Sequence, residues 1–125
     1  MMKLQINASA ENYLETIYEL SKTLAEVRSI DVATELGFKK SSVSVAMKNL
    51  REKGHITVTD AGFIYLTDSG KVIAEMIHER HELLARWLTK LGVPADIASA
   101  DACKLEHVLS KESFAAIKQY AEEHK

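Results

Sequence analysis

Apolar residues recur at helical spacing along most of this chain. The first predicted helix begins at Ser9, a suitable N-cap, and ends near Ser21; its apolar stripe consists of Tyr13, Leu14, Ile17 and Leu20. A short second helix is predicted to begin at Ser29 and end at Gly37, with three residues facing inward: Ile30, Ala33 and Leu36. A tight turn then leads into a third helix, which Gly54 is expected to end in the left-handed conformation.

The stretch from Lys39 to Leu66 organises the rest of the chain. Its helical part mixes apolar positions with serines and basic residues, so one face can pack while the other stays polar. Two β-rich segments follow, Ile56 to Val58 and Phe63 to Leu66, around a turn that carries Asp60 and Gly62. Two short helices joined by a glycine turn and followed by a hairpin predict a winged helix-turn-helix.

The remainder of the chain is predicted to be helical. Thr67 is a suitable N-cap for a long helix that runs to about Lys90, with a stripe of Ile73, Ile77, His81, Leu84, Leu88 and Leu91. Shorter helices are predicted at Pro94, from Asp101, and after the N-cap Ser110. The predicted fold is therefore mainly α: a winged helix-turn-helix with a two-stranded wing over residues 1–72, and an all-helical lobe over residues 73–125.

The distribution of charge matters more than its total. The chain of 125 residues carries a net charge of -2, which argues against non-specific coating of nucleic acid. Between Lys39 and Lys53, however, five residues are basic and only Glu52 is acidic, as a helix lying among phosphates requires. Solvated surface charges are the alternative interpretation. The candidate DNA contacts are Lys39, Lys40, Ser41, Ser42, Ser44, Lys48 and Arg51.

Several other classes of protein are disfavoured. One cysteine cannot form an internal disulfide, no apolar run approaches the roughly 20 residues that span a bilayer, and the opening MMKLQINAS lacks a signal-peptide core. We therefore expect a soluble cytoplasmic protein that does not associate with membranes. Because no glycine-rich phosphate loop and no Ser-His-Asp arrangement can be placed, we do not expect an enzyme.

Candidate metal ligands lie in two parts of the chain. Cys103, Glu106 and His107 stand at i, i+3 and i+4, so all three are expected on one helical face, and together they can bind a divalent transition metal. Alternatively, the cysteine is a small buried hydrophobe and the Glu-His pair is solvated. His81 lies on the apolar stripe of the long helix, where an imidazole bonded to a carbonyl is the alternative.

The first helix adds Asn12 and Glu15, three residues apart, which an exposed polar face would also explain. A single buried metal would account for all six polar residues.

Four segments resemble the iron-dependent repressor family, which contains the diphtheria toxin repressor and the manganese transport regulator. They are AENYLETIYEL, SSVSVAMKNLREKGHI, LTDSGK leading to RHELL, and DACKLEHVLS, and they span nearly all of the chain in the family's order. The resemblance, to a short form without the SH3-like domain of larger members, implies a metal-activated, homodimeric regulator of transcription that binds operator DNA.

The resemblance also implies the ligands. Cys103, Glu106 and His107 match family metal ligands, Glu15 and His81 match those of manganese-type members, and Asn12 stands where iron-type members have Met and manganese-type members have Asp. The thiolate and imidazole favour Fe²⁺, with Mn²⁺, Zn²⁺ or Co²⁺ as further candidates. Ala85 and Ser99 replace two residues of the iron-type second site, so a complete second site is not expected. On the DNA side, Val45 replaces a polar base-reading residue of the diphtheria-type repressor.

The main hypothesis is thus a metal-dependent transcriptional regulator, expected to be a repressor. The alternative is a winged-helix regulator that senses an organic ligand or a thiol oxidant through Cys103. A small metal-dependent enzyme and a purely structural dimer module are the rivals from other classes.

Overall fold

The computed structural model describes residues 8–124 of the chain, and this part contains six helices and two strands. They are α1 (Ala8–Leu20), α2 (Ser29–Leu36), α3 (Lys40–Glu52), β1 (Ile56–Val58), β2 (Ile64–Leu66), α4 (Asp68–Lys90), α5 (Ala95–Leu105) and α6 (Lys111–Glu123). The prediction of a mainly helical fold with a two-stranded wing is confirmed. Most of the opening segment MMKLQINAS, on which the signal-peptide expectation rests, lies outside the described residues.

The chain divides into two compact units, residues 1–75 and 76–125. The helix α4 begins in the first unit and continues into the second. Among the described residues, no helix is both long enough and apolar enough to cross a membrane.

The first unit is a helix-turn-helix followed by a wing. Its core contains the fully buried side chains of Leu14, Val32 and Val43, one from each of the first three helices. In the wing, β1 and β2 pair antiparallel with Ile56 opposite Leu66, and the Ile64 N–H donates to the Val27 carbonyl oxygen at 2.7 Å, which adds a third segment. The wing is therefore joined to the segment that immediately precedes α2.

A close approach of backbones fixes the start of α4. Thr67 is its N-cap as predicted, since the Thr67 Oγ1 accepts from the Gly70 N–H at 3.3 Å and donates to the Gly54 carbonyl at 2.7 Å. A Cβ at Gly70 would collide with the carbonyl oxygen of His55, so only glycine is accommodated there. Gly54 itself has φ +83°, the left-handed conformation predicted for the end of the third helix.

Two details predicted for the first unit are wrong. Ser9 lies inside α1 and is not its N-cap. Ile30 is 45 % exposed, whereas Val32 is fully buried, so the inward face of α2 is centred on Val32 and Ala33. An eight-residue helix has only two turns, and its tertiary contacts decide which of two similar stripes is buried.

In the second unit, α4 continues and is followed by two helices, not the predicted three. Pro94 is the N-cap of α5, and this single helix runs through Asp101, where a new helix was expected. Its buried residues are small, Ala98 and Ala102, one turn apart. The predicted N-cap of the last helix is confirmed, because the Ser110 side chain accepts from the Ser113 N–H at 3.0 Å.

Candidate metal centre and nucleic-acid interface

The helix α3 separates its side chains into a buried stripe and an exposed face. Val43, Met47 and Leu50 are buried against the core of the first unit. All seven predicted DNA contacts are exposed: Lys39, Lys40, Ser41, Ser42, Ser44, Lys48 and Arg51. Lys39 is the N-cap residue of α3, and the other six lie within the helix. The helix thus offers cationic and hydroxyl groups on a surface that folding does not use.

Three of the six predicted metal ligands come together in the second unit. The Sγ of Cys103, a ring nitrogen of His81 and a carboxylate oxygen of Glu106 all lie within 4.8 Å of one another. The His81 Nδ1 is 2.9 Å from the Glu106 Oε1 and 3.7 Å from the Cys103 Sγ. This ring nitrogen therefore faces both other donor atoms.

Local backbone conformation explains why Cys103 and Glu106 lie on the same side. The helix α5 ends at Leu105, and Glu106 is its C-cap with helical dihedral angles, φ -60° and ψ -23°. The Glu106 N–H donates to the Ala102 carbonyl, so the helical path continues through this residue. The expectation that His107 also projects from the helix is wrong, since it lies in the turn that follows.

Glu106 is the central residue of the group. Its side chain is only 1 % exposed, compared with 22 % for His81, while Cys103 is exposed. The second carboxylate oxygen, Oε2, is 3.3 Å from the Nε2 of His107. His107 thus contacts a member of the three-donor group without belonging to it. A carboxylate held between two imidazoles is kept in one orientation.

Arg80 supports this group and was missed by the sequence analysis. Its side chain is buried, its Nη1 donates to the carbonyl oxygens of Glu106 at 3.1 Å and Leu109 at 2.9 Å, and its guanidinium lies over the Phe114 ring. Consecutive residues of α4 therefore hold the two ends of Glu106, His81 its carboxylate and Arg80 its carbonyl. The available signal was spacing, because Ile77, Arg80 and Leu84 share one helical stripe.

The first unit contains two further predicted ligands. Asn12 and Glu15 are half-buried residues of α1, in the first unit. Ser99 is found beside the predicted site, with its Oγ 3.5 Å from the His81 Nε2. The two ring nitrogens of His81 therefore face different groups: Nε2 faces the Ser99 hydroxyl, and Nδ1 faces the other two donor atoms.

The donor set has the chemistry of a transition-metal site. A thiol, an imidazole and a carboxylate converge, and these are the groups that bind Fe²⁺, Zn²⁺ and Co²⁺ when the thiol and the imidazole are deprotonated. The buried carboxylate supplies negative charge, and the exposed cysteine leaves one side open to solvent. The residues present therefore fit a divalent ion.

Two family models match the chain, one for each half. Residues 5–62 match the N-terminal DNA-binding domain of iron-dependent repressors, and residues 67–125 match the metal-binding and dimerisation domain of the same proteins. The chain belongs to the iron-dependent repressor family. In this chain α3 falls within the residues matched to the DNA-binding domain, and His81, Cys103 and Glu106 fall within those matched to the metal-binding and dimerisation domain.

Individual relatives support the same assignment. The transcriptional regulator MntR of Escherichia coli is 32% identical over 114 residues, which cover 91% of this chain and 74% of the relative. An uncharacterised HTH-type transcriptional regulator of Methanocaldococcus jannaschii is 33% identical over 122 residues and is covered over 98% of its length.

Among solved structures, a manganese-dependent transcriptional repressor in complex with manganese superposes with a TM-score of 0.82 at 29% identity. The match covers 90% of the present chain but 52% of the manganese-dependent repressor, so the present chain spans about half the length of that structure.

Proposed function

We propose that this repressor binds operator DNA as a homodimer when His81, Cys103 and Glu106 hold a divalent transition metal, with Fe²⁺ favoured. The observation that carries the proposal is the convergence of these three donors within 4.8 Å, inside the domain that the family uses for metal binding and dimerisation. In this proposal the chain is a regulator in the cytoplasm and has no catalytic role.

The choice of metal follows from the donors. A thiolate and an imidazole prefer borderline ions such as Fe²⁺, Zn²⁺ and Co²⁺, whereas oxygen-rich sites suit Mn²⁺. A relative of known structure binds manganese. The exposed Cys103 is the residue that shifts the preference here, because it brings sulfur to a group otherwise built from imidazole and carboxylate.

The exposed face of α3 supports the proposed contact with DNA. Lys40 and Lys48 are exposed and can neutralise phosphates, and the exposed serine hydroxyls can bond to phosphates or to base edges. We propose residues 1–72 as the DNA-binding domain and residues 73–125 as the metal-binding and dimerisation domain.

The decisive experiment is an anaerobic titration of the reduced protein with Co²⁺, a spectroscopic substitute for Fe²⁺. We expect a sulfur-to-cobalt charge-transfer band that saturates at stoichiometric metal and is absent in Cys103→Ser. The matched control is Ala100→Ser, which adds a hydroxyl to α5 and keeps the thiol, and it should retain the band.

If no band appears and duplex binding is the same with and without metal, the metal proposal is wrong. A regulator that senses an organic ligand or an oxidant through Cys103 then becomes the better account.

A further inference from the structure

Val45 is an exposed apolar side chain in the middle of α3. Its exposed fraction is 61 %, and every other exposed residue of this fully described helix is polar or charged. At about 100° per residue, Val45 lies roughly 200° around the helix from the buried Val43. It therefore occupies the centre of the face that points away from the core, on one stripe with Ser41 and Lys48.

Neither folding nor solubility explains a valine at this position. An exposed β-branched residue forms helix less readily than Ala, Lys or Glu. Single apolar residues are common on protein surfaces, but this one directly follows Ser44 and stands three and four residues after Ser42 and Ser41, its neighbours on the helix surface. These short neighbours leave the valine methyl groups prominent on the outer face.

The major groove offers a specific partner for such a group. An α-helix that enters the groove meets hydrogen-bonding atoms on every base edge, and the apolar group among them is the C5-methyl of thymine. A valine placed against a polar base atom would leave that atom without a partner, at a cost in affinity.

We propose that Val45 contacts the C5-methyl group of a thymine and thereby selects that base at one position in each half of the operator. The inference rests on the proposed function, because it requires α3 to lie in the major groove. It assigns the base that this apolar residue selects, while the lysines and serines of α3 position the helix.

The test removes one methyl group at a time. Duplexes are first recovered from a randomised library with the reduced wild-type chain and Co²⁺ under anaerobic conditions, and each thymine of the tightest duplex is then replaced by deoxyuridine, which keeps all hydrogen-bonding groups. We expect binding to weaken about three- to fivefold at one thymine in each half-site, the effect of losing contact with one buried methyl group.

The same replacement should cost Val45→Ala almost nothing, because its shortened side chain no longer reaches the methyl group. Val72→Ala is the matched control, since Val72 is a helical valine of similar exposure, 65 %, on α4. It should keep the full deoxyuridine penalty. Alanine is the better helix former, so Val45→Ala should stay folded, and its salt dependence of binding should equal that of the wild type.

A flat deoxyuridine scan with the wild type, or an undiminished penalty with Val45→Ala, would overturn the inference. In either case the proposed function would still hold if the library yields a duplex and Lys48→Ala weakens binding to it. If the library yields no duplex, both this inference and the proposed function are wrong.

Discussion

The two units of this chain differ in how far they bury their candidate functional residues. In the first unit Lys40, Val45 and Lys48 are exposed residues of a single helix. In the second, His81 and Glu106 are 25 residues apart in sequence, and the buried Arg80 joins them. An exposed face can change without disturbing the core, whereas a buried polar group is part of the packing that holds the unit together. The DNA contacts should therefore be separable from folding, whereas the buried candidate metal ligand Glu106 should not.

The largest effect predicted by this comparison is the loss of folding stability caused by Arg80→Met. Methionine fills similar space but cannot donate to the carbonyls of Glu106 and Leu109. Leaving such groups without their donor should lower the free energy of unfolding by about 2 to 4 kcal/mol. Urea unfolding of the metal-free protein, followed by circular dichroism, measures this change.

Lys118→Met is the control for Arg80→Met. The Lys118 ammonium pairs with Glu79 at 2.6 Å on the exposed surface of the same unit, and the hydrogen bond to Glu79 raises the pKa of Lys118. Because this pair is solvated, its loss should leave the urea midpoint nearly unchanged. Equal midpoints for the two variants would contradict the view that the second unit depends on its buried polar contacts.

The second prediction concerns the coupling between metal binding and operator binding. If metal promotes operator binding, linkage requires the operator to tighten metal binding by the same factor, commonly equivalent to 1 to 3 kcal/mol. Co²⁺ titrations with and without saturating operator measure this factor, and a scrambled duplex of equal length controls for non-specific binding. An operator that leaves the Co²⁺ affinity unchanged would show that the sites act independently.

Long elements with clear boundary residues could be predicted from sequence. Thr67 and Ser110 cap their helices as predicted, and Gly54 ends the third helix. The continuity of α5 was missed because its buried residues are alanines, which give a weak apolar pattern, and because Asp101 resembles a helix start. Tertiary packing, which sequence periodicity does not contain, decided between Ile30 and Val32.

The candidate site shows the same division. The exposed face of α3 follows from helical periodicity alone. The proximity of His81 to Cys103 and Glu106 could be inferred only from the hypothesis of one shared metal and from the resemblance to a known family, since no local pattern links residues so far apart in sequence. Arg80 was overlooked because the surrounding charged residues, Glu79 and Glu82, suggest a solvated segment. Its burial depends on carbonyls contributed by a distant turn.

The smallest predicted effects are those of Lys40→Ala and Lys48→Ala on DNA binding. If each lysine contacts a phosphate, each variant should bind all duplexes more weakly and lower the salt slope of binding by about 1, with no change in stability. Lys22→Ala is the matched control, because Lys22 is an exposed lysine of the same unit whose charge is paired with Glu19 at 3.4 Å. It should keep the wild-type slope.

Lys40 and Lys48 lie about 12 Å apart along the helix axis, so the double variant should lower the salt slope by about 2, the sum of the single effects. A double variant no weaker than either single one would mean that the lysines share one phosphate, and an unchanged slope would remove that lysine from the interface.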